Sequence, residues 1–271
     1  MKKFFRVIGL LSLISFSFFV SQKTALMVKE QDDIMIKIKE EENNYFVEPI
    51  QAIINEDEMI PGVNGSNIDI EKSYSEMRKI GTYSTNLLQN EVTYVDELII
   101  DNYDKYIISG NKSRNYVSLV FVVDQNDNID TLKNILNQNE ISVTFFVDTS
   151  YLLVNENNID INHHYSVIYK NDPLFIWSNN LIENTLSQEN LYCLNNQKDN
   201  ELLNECIYLK YSTIKASIIY NSINDVKENI TNGSIISIDY TANIDNEITT
   251  IINYIKSKGY EIKNLEELLV E

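Results

Sequence analysis

From residue 117 onward, short apolar runs alternate with amphipathic stretches, and that rhythm leaves few architectures open. VSLVFVV, ISVTFFVD, NLYCL, STIKASIIY and GSIISIDY read as strands. NIDTLKNILNQN, SNNLIENTLSQEN, NELLNECIYLKY, SINDVKENI and NEITTIINYIKSKGYEI carry apolar residues at helical spacing. Strands that alternate with helices predict repeated βαβ units and a parallel sheet. Such strands are covered on both faces, so they are continuously apolar rather than alternating. The stretch NNIDINHHYSVIY reads as a loop with some strand character, and no internal repeat is present.

Upstream the pattern differs. QDDIMIKIKEEENNY predicts a helix, and Glu40-Glu41-Glu42 is its solvated end. VEPIQAIINE reads as a strand, and Pro61-Gly62 and Asn64-Gly65 mark turns. DIEKSYSEMRKIG predicts a helix capped by Asp69 and stopped by Gly81. EVTYVDELII and KYIISGN are strand-like. Residues 28–115 are therefore expected to form a small α/β module, bounded by the polar stretch SGNKSRN.

The first residues place Lys2, Lys3 and Arg6 ahead of the apolar run Val7–Val20. This is the layout of a secretory signal. The run is short for a bilayer span, which takes about 20 apolar residues, and no clean cleavage site follows it. Residues 1–25 are thus a signal peptide or a retained N-terminal membrane anchor. Either reading sends the remaining chain out of the cytoplasm. There Cys193 and Cys206 form either a disulfide or two buried free thiols.

Composition removes some partners. Net charge is -18, so the phosphate backbone of nucleic acid and an anionic membrane surface are both disfavoured. With 7 Gly and 3 Pro, neither a Gly-rich phosphate loop nor a Pro-rich linker is available.

Four fragments, in this order, resemble the polysaccharide deacetylase (NodB-homology) family. They are VSLVF with the acid that follows, EISVTFFVD, NGSIISIDY and INYIKSKGYEIKNLEELL. The resemblance covers about residues 117–271, and EISVTFFVD is the most specific match. The 28–115 module resembles a segment that precedes this domain in some members. The resemblance implies a distorted, incomplete (β/α) barrel over residues 116–271, with its site at the C-terminal ends of the strands. It also implies hydrolysis of acetyl groups on glycans. In the chemistry that it implies, zinc held by one Asp and two His would activate water, with a second Asp as base and a distant His as acid.

Carried onto this chain, the paired aspartates fall on Val122 and Val123, which neither ligate a metal nor accept a proton. Asp124, one residue on, is the displaced alternative, or else simply ends the strand. The His-x-x-x-His pair is expected to begin at His163 or His164, with Val167 or Ile168 where the second ligand should be. The Arg-Pro-Pro-Tyr-Gly motif falls near LYCLN, without Arg or Pro. The distal His falls near Ile238 or Asp239. Trp177 is either a sugar-stacking ring or packing, and the 17 tyrosines offer further amphipathic faces.

The motifs that hold the fold are present, and those that hold the chemistry are changed. The expectation is an exported, catalytically inactive deacetylase-like protein without a cofactor. It binds cell-wall polysaccharide or an extracytoplasmic protein near Asp124, His164, Trp177 and Asp239. The alternative is a divergent zinc-dependent deacetylase that uses Asp124, His163 and His164.

Overall fold

The computed structural model describes residues 2–156, 159–168, 174–186, 188 and 190–271, with side chains described from residue 11 onward. Contacts divide the chain into two units, Met1–Pro49 with Asn64–Tyr94, and Ile50–Val63 with Val95–Glu271. The boundary expected at residue 115 does not coincide with this division. Residues 50–63 and 95–115 belong to the second unit.

The first unit opens with α1 (Lys2–Glu30) and α2 (Asp33–Tyr45). Within α1, Leu11–Glu30 is long and apolar enough to cross a membrane, by length and composition. Asp32 caps α2 by accepting the Ile34 N–H at 2.9 Å, and the helix buries Met35 and Ile38, one turn apart. Strands β1 (Ile53–Ile54) and β2 (Glu58–Ile60) follow in sequence but belong to the second unit. The VEPIQAIINE run gives only the two residues of β1. Pro49, near its start, lacks the N–H that a ladder needs.

The first unit resumes with β3 (Gly65–Ile68), α3 (Ile70–Ile80) and β4 (Asn90–Thr93), β3 and β4 pairing antiparallel. Asp69 caps α3 by accepting the Lys72 N–H at 2.9 Å. Gly81 ends the helix in the left-handed region at φ 72°, where a residue without Cβ is unstrained. Met35, Ile38, Ile68, Tyr74 and Met77 form this unit's core.

The second unit continues with β5 (Tyr106–Ile107), β6 (Tyr116–Val123), α4 (Asp130–Gln138), β7 (Thr144–Val147), α5 (Thr149–Asn155) and β8 (His164–Val167). Next come α6 (Phe175–Leu186), β9 (Tyr192–Leu194), α7 (Asn200–Leu209), β10 (Ser212–Ile214) and β11 (Ile218–Ile219). The chain closes with α8 (Ile223–Asn229), β12 (Ile235–Asp239), α9 (Ile244–Ser257), β13 (Glu261–Ile262) and α10 (Leu265–Leu268).

One sheet runs β11-β12-β6-β7-β8, all parallel, with β13 also pairing the start of β6. A second runs β1-β2-β5-β10-β9, parallel except for β1 against β2. Side chains bridge the gaps between the two sheets. Tyr192 N–H donates to Ser166 Oγ at 3.1 Å, and Ser217 Oγ accepts the Ile235 N–H at 2.9 Å. The parallel sheets are those that the sequence rhythm predicts, and the result is the distorted, incomplete (β/α) barrel that the family resemblance implies.

Strand alternation sorts the core into two layers. Val117, Leu119, Phe121 and Val123 pack outward among the helices, with Leu132, Ile248 and Ile252. Val120, Phe146, Tyr192, Ile214 and Ile235 fill the barrel, and Leu265 and Leu268 of α10 belong to the same cluster. Each fully buried side chain of this size contributes about 1.5–3 kcal/mol. Gly233 marks a close crossing at φ 80°, where a Cβ would lie 2.2 Å from Gly110 O. HYSV, expected as loop with strand character, is β8, and α5 has no counterpart in the sequence reading. Asp148 begins α5 by accepting the Ser150 N–H at 2.7 Å, although it also reads as the last residue of a strand.

Cys193 of β9 and Cys206 of α7 are bridged, 13 residues apart. A closed loop of this length restricts the unfolded chain by about 3 kcal/mol. Reduction is therefore expected to lower the unfolding free energy by about 3 kcal/mol, read as a lower urea midpoint with dithiothreitol than without.

Candidate functional site

The C-terminal ends of the strands form the rim where the family resemblance places its chemistry. Val122 faces inward there, half-buried, in register with Asp239 of β12 on one side and Phe146 of β7 on the other. Tyr240 N–H donates to Val122 O at 2.9 Å and extends the ladder past Asp239, which is exposed. Val123 points the other way and is fully buried in the helix-facing core. Adjacent strand residues face opposite sides, so the two positions are not equivalent. A carboxylate at 122 would meet solvent, and one at 123 would meet hydrocarbon.

Asp124 turns the chain. Its N–H donates to Asp127 Oδ2 at 2.7 Å, and Asp127 N–H returns to Asp124 O at 3.1 Å. It is exposed at the rim and ends the strand as a turn residue. Asn196, which the sequence reading passes over, lies just past β9 and ties the end of β10 to the middle of β12. Its Oδ1 accepts the Ala216 N–H at 2.9 Å, and its Nδ2 donates to Ser237 Oγ at 3.2 Å. The polarity of LNNQ after a strand was the available signal. Trp177 lies in the first turn of α6 and is 39% exposed.

The histidines are elsewhere. His164 opens β8 in register with Thr144, whereas Val167 pairs with Val147, the partner of Val123. At about 3.3 Å per residue, the His164 level lies about 13 Å below that of Asp124. The expected grouping of Asp124 with His163 or His164 is therefore not formed. The dipeptide begins the strand at its N-terminal end, and the rim lies at the other.

Both rings are buried. His163 meets the Phe145 ring edge-on, with centroids 5.3 Å apart, and its nitrogens have no hydrogen-bond partner. Burial pushes its pKa down to about 4, although the Asp160 carboxylate 4.0 Å away favours the charged form. His164 Nε2 lies 2.8 Å from Asn190 O. A carbonyl only accepts, so Nε2 carries a proton in this contact. Burial lowers this pKa to about 4 as well, outweighing the Asn190 bond.

Among the described residues, no group of three or more His, Cys, Asp or Glu side chains is placed to hold a metal ion. A catalytic zinc site keeps three protein ligands and one open position. The rim offers Asp124, just past the end of β6, and Asp239 of β12, which pairs with Val122. These residues do not fit the zinc that the resemblance implies.

No family model matches the chain, and no curated protein matches it. Solved structures do. A CE4 (family 4 carbohydrate esterase) pseudoenzyme from Bacillus anthracis, BA3943, is 20% identical, with a TM-score of 0.62 over 88% of this chain and 95% of that one. A mutant of BA3943 with restored enzymatic activity superimposes with a TM-score of 0.63 at 20% identity, over 88% of this chain and 98% of that one. PdaA of Bacillus subtilis, a family 4 carbohydrate esterase, is 16% identical with a TM-score of 0.53, over 82% of this chain and 97% of that one. The fold of this chain is that of the family 4 carbohydrate esterases, a fold shared by PdaA and by a pseudoenzyme.

Proposed function

We propose that the chain is an exported, non-catalytic relative of the polysaccharide deacetylases that binds cell-wall glycan at the rim of its barrel. The observation that carries this reading is the Val122-Val123 pair, which puts two valines where the resemblance expects the metal-ligating and proton-accepting carboxylates. The placement of His163 and His164 at the far strand ends supports it. Lys2, Lys3 and Arg6 ahead of an apolar segment, and the Cys193–Cys206 bridge, favour an oxidising, extracytoplasmic location. The segment 1–25 acts as signal or anchor, and no cofactor is required. Asp239 supplies a hydrogen-bonding carboxylate at the rim, and Trp177 an aromatic face for a sugar ring.

The test is the intact protein on purified cell wall and on an acetylated glycan. Retention on the wall is expected, weakened about fivefold by Trp177→Ala if the ring face contributes about 1 kcal/mol. No acetate should appear above background. Acetate turnover by the wild type, or failure to bind the wall, would overturn the proposal.

A further inference from the structure

On the opposite face, at the N-terminal ends of β9 and β10, lies a cavity of about 340 Å³. That is the small end of the range of roughly 300–1,000 Å³ seen for ligand pockets. Four hydroxyl-bearing residues line it, Tyr103, Tyr192, Tyr211 and Ser212. None of the four hydroxyls hydrogen-bonds to another described residue. Tyr192 is only 6% exposed, yet its oxygen is not sealed off, unlike the hydroxyls of Tyr83 and Ser118. A phenol this deeply buried normally finds a partner.

Lys210 and Glu266 also line the cavity, and neither has an ion-pair partner among the described residues. Lys210 caps α7 at φ 58°, the left-handed region where glycine is at home, so the lysine is kept there against its backbone preference. The disulfide ties the two tyrosine-bearing walls together. Tyr192 precedes Cys193, and Tyr211 N–H donates to Cys206 O at 2.9 Å.

We infer that this cavity is a carbohydrate-binding site, separate from the barrel rim. Sugar hydroxyls both donate and accept, as do these four, which have no hydrogen-bond partner among the described residues. Lys210 and Glu266 add one charged donor and one charged acceptor, and Ile99, Ile100 and Val270 offer the apolar surface that a pyranose face needs.

The experiment is a calorimetric titration of the full chain with a soluble N-acetylglucosamine tetrasaccharide. Tyr192→Phe removes one hydroxyl and keeps the ring, and Lys210→Gly removes the ammonium while relieving the backbone. Each is expected to weaken binding about fivefold, the worth of one hydrogen bond, with the unfolding midpoint of Lys210→Gly unchanged or raised. Asp239→Ala and Trp177→Ala should leave this site's affinity intact. Wild-type affinity in both Tyr192→Phe and Lys210→Gly overturns the site, as does absence of any binding. Loss confined to Asp239→Ala or Trp177→Ala overturns it too, and leaves the rim as the glycan site.

Discussion

Val123→Asp is expected to lower the unfolding free energy by about 3–5 kcal/mol, the usual cost of an uncompensated buried charge. Val122→Asp should cost at most about 1 kcal/mol, near the ordinary value for a substitution. The two positions are adjacent in sequence and carry the same residue, so the difference comes only from the face each presents. Val123 is fully buried in the helix-facing core, whereas Val122 is half-buried at the rim beside Asp239. Urea midpoints of the two variants measure this directly. Equal destabilisation would mean that the strand end does not hold the register described. The consequence is functional as well: restoring both family aspartates in this chain would damage the core before it built a site, and the histidines would still lie at the far strand ends.

Acid is expected to unfold the protein through its two histidines. Both fall from an ordinary value of 6.5 to about 4 because burial disfavours the charged ring. In the unfolded chain each ring takes up a proton near pH 6.5, and in the folded chain only near pH 4. Between those values the unfolded state binds more protons, so stability falls as pH falls. At 1.36 kcal/mol per unit, each ring accounts for about 3 kcal/mol by pH 4. Below both values no further loss comes from these groups. Unfolding free energies across pH 7 to 4 should show the slope, and His163→Phe, which suits the apolar edge of Phe145, should roughly halve this contribution. An unchanged slope in that variant would show that the ring is solvated.

The strand and helix rhythm from residue 117 was legible because apolar runs and turn residues are local signals. VSLVFVV, ISVTFFVD and GSIISIDY became β6, β7 and β12, and Asp69 and Gly81 bound α3 as their chemistry dictates. The division of the first hundred residues was not legible. Tyr106 and Ile107 pair with β2 and β10, and the β10 partners are more than a hundred residues distant. No local pattern encodes that distance. The candidate site was legible in identity and not in placement. Val122 and Val123 read the same until the pleat separates their faces. His163 and His164 read as part of the expected ligand pair until the β7–β8 register sets them at the start of the strand. Tyr192 and Tyr211 were legible only as two of the 17 tyrosines, because whether a hydroxyl finds a partner is a property of packing.

Zinc content tests the central claim most directly. The intact protein, equilibrated with zinc and then freed of excess, should retain no stoichiometric ion in elemental analysis, since the rim carboxylates and the two rings cannot converge. One zinc per chain, lost in both Asp124→Asn and His164→Ala, would contradict this and return the protein to the metal-dependent deacetylases.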